Sequence, residues 1–82
     1  MKLHELIIEA EAMLTVGKLR NAARHPGETI TMRQHNLEAI EDAILGLPAN
    51  KILYSKDIQD ILNISNVDRD DFEILANAAR SR

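Results

Sequence analysis

An 82-residue chain with a net charge of −3 and no cysteine is long enough for one small domain, too mildly charged to coat nucleic acid, and unable to form disulfides or thiolate metal sites. Tyr54 and Phe72 are its only aromatics and it has no Trp, so the core must be built from aliphatic side chains in a domain that buries only about 60% of its unfolded surface. No apolar run approaches the roughly 18 residues that span a bilayer, and acids interrupt residues 1–12 where a signal peptide would be apolar, so the expected location is the cytoplasm.

The longest helical periodicity covers residues 3–24. Leu3, Leu6, Ile7, Ala10, Met13 and Leu14 follow one helix face, and Ile8, Ala12, Val16, Leu19 and Ala23 widen it into a stripe that can meet two neighbours. Read as one helix, the stretch is roughly 33 Å long. Its carboxylates crowd the first half and Lys18, Arg20 and Arg24 the last, the order that the helix dipole favours. Gly17 interrupts it at about 1 kcal/mol against alanine, and reads as a kink, a close helix crossing or simple tolerance. Pro26 disfavours helix at His25 and Gly27 follows, so a loop is expected over residues 25–30.

Thr31, with Gln34 three residues later, has the form of a capping box and opens a second helix with the stripe Leu37, Ile40, Ala43, Ile44 and Leu47. Gly46 and Pro48 stop it. Residues 49–54 read either as a short extended piece or as an irregular lead-in that buries Ile52 and Leu53, and one such segment makes no sheet. Ser55 is a good N-cap for a short helix carrying Ile58, Ile61 and Leu62, with Asp57 in its first turn. The last helix starts at Asp68 as N-cap, with Val67 and Phe72 placed as a hydrophobic staple, Asp70 and Asp71 in the first turn and Arg80 at the end. Phe72, Leu75, Ala76 and Ala79 form its narrow stripe, which leaves one face open to water.

The expected fold is all-α, a compact bundle of about four helices in a single domain over residues 1–82, the two N-terminal helices longer than the two C-terminal ones. Because Gly17 and the alanines permit close approach while the core is small, a homodimer forming at micromolar concentration is expected to complete it. Two short internal echoes have different offsets and define no repeat.

Motifs that carry chemistry fail at defined positions. His4-Glu5 begins like a zinc-protease helix, but Ile8 stands where the second histidine belongs. Asp68-x-Asp70 begins like a calcium loop, but Phe72 takes a ligand position and Glu73 replaces the glycine of the turn. His4, His25 and His35 read as solvated or capping residues. No catalytic, cofactor-binding or metal-binding residue is expected, and the protein is read as a non-enzyme that needs no cofactor.

The stretch from Ser55 to Leu75 resembles the generic pattern of small helix-turn-helix DNA-binding regulators: Ile58, Ile61-Leu62 and Ile64-Ser65 precede a short turn and another helix. That resemblance implies a dimeric transcriptional regulator, with the last helix entering the major groove. Asp68, Asp70, Asp71 and Glu73 against a single Arg69 would meet phosphates with like charge, so nucleic acid is the less favoured partner.

Charge distribution supplies the candidate binding residues. Between positions 18 and 35, Lys18, Arg20, Arg24 and Arg33 outnumber Glu28 to give +3, while Glu38, Glu41 and Asp42 give −3 between positions 36 and 46. The ordinary reading is a solvated face or a pairing within the fold. The functional reading makes Lys18, Arg20, Arg24, His25 and Arg33 a basic knob for an acidic partner or membrane surface, and Glu38, Glu41 and Asp42 a surface for a basic peptide. The expected function is a small non-enzymatic regulator, inhibitor or adaptor that binds another protein, of the kind encoded by phages, plasmids and bacteria, for which a cytoplasmic antiholin serves as illustration. It would act by docking a helix face, an apolar seam giving affinity and flanking charges giving orientation.

Overall fold

A computed structural model of the chain describes residues 13–27 and 30–81. Among them are four helices, α1 Val16–Arg24, α2 Gln34–Ala43, α3 Ser55–Ser65 and α4 Arg69–Arg80, which form an all-α bundle. The extended pairing among the described residues is a single antiparallel bridge between Thr15 and Ile52.

The long first helix expected over residues 3–24 does not pass through Thr15. That residue is extended (φ −114°, ψ 161°) and acts as the N-cap of α1, its Oγ1 accepting the backbone N–H of Lys18 at 3.2 Å. The remaining part of the expected helix, residues 3–12, lies outside the described residues. The break at Thr15 is stabilised from far along the chain. Val16 N–H donates to the Lys51 carbonyl at 2.9 Å, Gly17 N–H to the Ala49 carbonyl at 2.8 Å, and Leu53 N–H to the Leu14 carbonyl at 2.8 Å. The first N–H groups of a helix have no partner within it, and here a strap of backbone supplies their acceptors. Residues 49–54 combine features of both alternatives: Ala49 and Asn50 lie in a turn that the Lys51 N–H closes on the Pro48 carbonyl at 3.1 Å, extended pairing is confined to the bridge at Ile52, and Leu53 is buried while Ile52 stays half-buried. With α1 shortened, the helices run 9, 10, 11 and 12 residues in chain order, so the expected order of lengths is reversed among the described residues.

Gly17 accordingly sits in the first turn of α1 rather than in mid-helix. A Cβ there would lie 3.1 Å from the Ala49 carbonyl oxygen and 3.3 Å from the Ala49 Cβ, so glycine is what lets the strap reach the helix end. Gly17→Ala is expected to lower stability by about 1 kcal/mol, the overpacking outweighing the gain in helix propensity. A urea titration would show this as a lower midpoint at unchanged slope. An unchanged or raised midpoint would mean that the strap yields freely.

The other elements start close to their sequence signals, with shifts that packing explains. α2 begins at Gln34 with Arg33 at its N-cap, not Thr31. Ile30 is buried and Met32 packs on the core, and these anchors hold the chain out of helix until both are placed. Past Ala43 the chain tightens into a turn, Ile44 N–H donating to the Glu41 carbonyl and Leu45 N–H to the Asp42 carbonyl. Tyr54 rather than Ser55 is the N-cap of α3, because the Asp57 carboxylate accepts the Tyr54 N–H at 3.0 Å. α3 ends at Asn66, which is left-handed (φ 58°) and donates its N–H to the Leu62 carbonyl at 2.8 Å. Asp68 is the N-cap position of α4, as the sequence predicts.

The core contains Phe72, Leu19, Ile40, Ile44, Leu75 and Val16, all fully buried. α4 packs on α1, α1 on α2, and α2 on α3. Ala22, Ala23, Ala76 and Ala79 are buried within this core. These four alanines serve close packing within one chain.

Candidate functional site

Gly17, Arg20, Asn21, Arg24 and His25 recur at the three-and-four spacing of a helix, so α1 presents them along one face. They line an open cavity of about 280 Å³ beside the C-terminal end of α2.

Arg20 organises this cavity. Its Nη2 donates to the Ile44 carbonyl at 3.3 Å and to the Leu47 carbonyl at 3.1 Å. Ile44 is the C-cap of α2, its carbonyl also accepting the Leu47 N–H at 3.1 Å, and Leu47 lies in the turn beyond, so the half-buried guanidinium fixes α1 against that turn and sits near the negative end of the α2 dipole. One turn further along, the Nε of Arg24 bonds the Oε2 of Glu41 at 2.7 Å, with the two side chains 52% and 26% exposed. A pair this exposed contributes about 0–1 kcal/mol. His25 is the C-cap of α1 and donates its backbone N–H to the Asn21 carbonyl at 2.9 Å.

Of the residues that the sequence singles out, then, Arg20, Arg24 and His25 meet at one groove, and Glu41 reaches its edge from α2. The others fall elsewhere. Lys18 is half-buried near the start of α1, and exposed Arg33 occupies the N-cap of α2. Exposed Glu38 accepts a 3.3 Å bond from the Gln34 side-chain amide, and Asp42 is exposed on the last turn of α2. Part of the basic and acidic runs therefore pairs within the fold, through Arg24 and Glu41. The role of Arg20 has no signature in the sequence, because its acceptors are backbone carbonyls. The opposite signs of the two neighbouring runs are the sequence signal for the Arg24–Glu41 contact.

A second open cavity, about 490 Å³, lies along α3 and the turn into α4, where Gln59, Leu62, Asn63, Asn66 and Arg69 contribute to its wall. Arg69 Nη2 donates to the Gln59 side-chain oxygen at 2.7 Å, and Gln59 donates to the Asn63 side-chain oxygen at 3.1 Å. The outward stripe of α4 carries Asp70, Ile74 and Asn77.

The chain matches no protein-family model, no curated protein and no solved structure. Among the described residues, no group of three or more His, Asp or Glu side chains is placed to hold a metal ion. No helix among them is long and apolar enough to cross a membrane. What the α1 groove offers chemically is a set of guanidinium N–H donors on a preorganised wall, suited to anionic acceptors.

Proposed function

We propose that the protein is a small non-enzymatic adaptor or regulator that binds another protein, with the α1 groove as its docking face. The observation that carries this reading is the convergence of Arg20, Arg24 and His25 on one concave face, with Arg20 held in place by two carbonyls. A guanidinium whose position is already fixed loses little conformational entropy on binding, which favours recognition over a freely moving surface charge. Exposed Leu45, one residue beyond the Ile44 carbonyl that Arg20 binds, adds apolar surface near the groove.

Affinity purification of the tagged full chain from cells, with and without nuclease, tests the proposal. A stoichiometric protein partner is expected that survives nuclease and is depleted about tenfold by Arg24→Glu. Thermal unfolding of the variant serves as the folding control. Capture that is indifferent to Arg24→Glu would remove the groove from the proposal.

A DNA-binding reading draws on one feature, the three-residue turn between α3 and α4 with Asn66 in the left-handed conformation. Against it stands the charge of α4, whose exposed or half-exposed residues include Asp70, Asp71 and Glu73, while Arg69 is engaged by Gln59. Nucleic acid recovered with the protein, its affinity falling steeply with added salt, would favour this second reading.

A further inference from the structure

Arg24 is paired with a carboxylate of its own chain at the edge of an open cavity that Arg20 also lines. We infer that the α1 groove takes an acidic peptide segment, whose carboxylate displaces Glu41 from Arg24, so that Glu41 is a built-in competitor for the site. This rests on the protein-binding reading above and names the chemistry of the partner.

The Arg24–Glu41 contact is a single bond through Nε, and among the described residues no acceptor engages Nη1 or Nη2 of Arg24. Arg24 is exposed and Glu41 only half-buried, so water reaches the pair and it is weak enough to exchange. An incoming carboxylate can take the fork of Arg24 through two parallel bonds, a stronger arrangement than the one it replaces. Arg20 assists from one turn away. Its Nη2 is committed to the carbonyls of Ile44 and Leu47, and among the described residues Nε and Nη1 have no acceptor. The surroundings favour a peptide over a nucleic-acid backbone. Glu38, Glu41 and Asp42 on α2 lie beyond the groove, and the chain as a whole carries −3, so a continuous line of phosphates would run over like charge. A peptide with one or two acidic side chains can place them against α1 alone.

The test is fluorescence anisotropy of a labelled Gly-Ser-Glu-Glu-Ser-Gly peptide, with Gly-Ser-Gln-Gln-Ser-Gly as control, against the full chain and the variants Glu41→Gln, Arg24→Gln and the double variant. Removing the competitor is expected to tighten binding of the acidic peptide by about two- to fivefold, the range that an exposed pair of about 0.5–1 kcal/mol converts to. Arg24→Gln is expected to weaken binding, and Glu41→Gln in the Arg24→Gln background is expected to give no gain. Equal affinities of wild type and Glu41→Gln would overturn the competitor while leaving the groove. A gain of full size in the Arg24→Gln background would show relieved repulsion instead of displacement, and overturns it too. Tighter binding of a single-stranded oligonucleotide than of the acidic peptide overturns the choice of a peptide. Absence of acidic-peptide binding by every variant overturns the acidic-partner inference. The adaptor reading itself stands or falls on the Arg24-dependent capture described above.

Discussion

Phe72→Ala is expected to lower the stability of the protein by about 3–5 kcal/mol, the usual loss for an aromatic removed from a core that cannot collapse around the space. Phe72 is fully buried and the largest of the residues so placed. It occupies the first turn of α4, and its backbone N–H closes that turn on the Asp68 carbonyl at 3.0 Å. With Leu75, Ala76 and Ala79 it makes the face through which α4 packs on α1, and Val67 is buried beside the start of the same helix. A domain of 82 residues has a total stability on the order of 4–12 kcal/mol. The substitution therefore removes a quarter of it or more, and the variant should melt well below the wild type. The paired control is Ile74→Ala, two residues on and 46% exposed, which is expected to change stability by no more than about 0.5 kcal/mol. Urea titrations of the two variants would settle the matter. Similar losses at both positions would mean that α4 does not dock through the Phe72 face.

That contrast between Phe72 and Ile74 is legible in the sequence alone, because period and capping are local signals. Asp68 before the helix and the stripe from Phe72 to Ala79 specify both where α4 begins and which face it buries. Leu37, Ile40 and Ile44 in the second helical stretch, and Ile58, Ile61 and Leu62 in the third, are legible for the same reason. The division at Thr15 is not. Apolar spacing continues through it, and a threonine without Glu or Gln three residues later is a weak cap signal. What makes the break stable is the pair of carbonyls from Lys51 and Ala49, which no local pattern announces. The candidate site shows the same limit. Opposite charge on neighbouring stretches suggests that they either meet each other or meet a partner, and only the fold distinguishes Arg24, which meets Glu41, from Arg33, which stands at the exposed start of α2.

Arg20→Met is expected to cost about 2–3 kcal/mol, more than any other change on the groove, because it removes a charged donor from two carbonyls at once. Methionine preserves much of the side chain's apolar packing, so the loss reports on the hydrogen bonds and on the charge at the end of α2. Arg20→Lys should recover part of it. An ammonium keeps the charge near the helix end and can satisfy one carbonyl, but lacks the planar fork. Arg24→Met, by contrast, is expected to cost less than about 1 kcal/mol, since Arg24 is exposed and its Glu41 partner only half-buried. Chemical denaturation of the three variants checks this ordering. If Arg24→Met proved as costly as Arg20→Met, the ion pair rather than the carbonyl contacts would be holding α1 to α2. The ordering also decides which residue can report on function. A binding defect at Arg20 would be entangled with loosening of the wall that forms the groove, whereas Arg24 can be changed with the wall intact, so loss of a partner there reads directly on recognition.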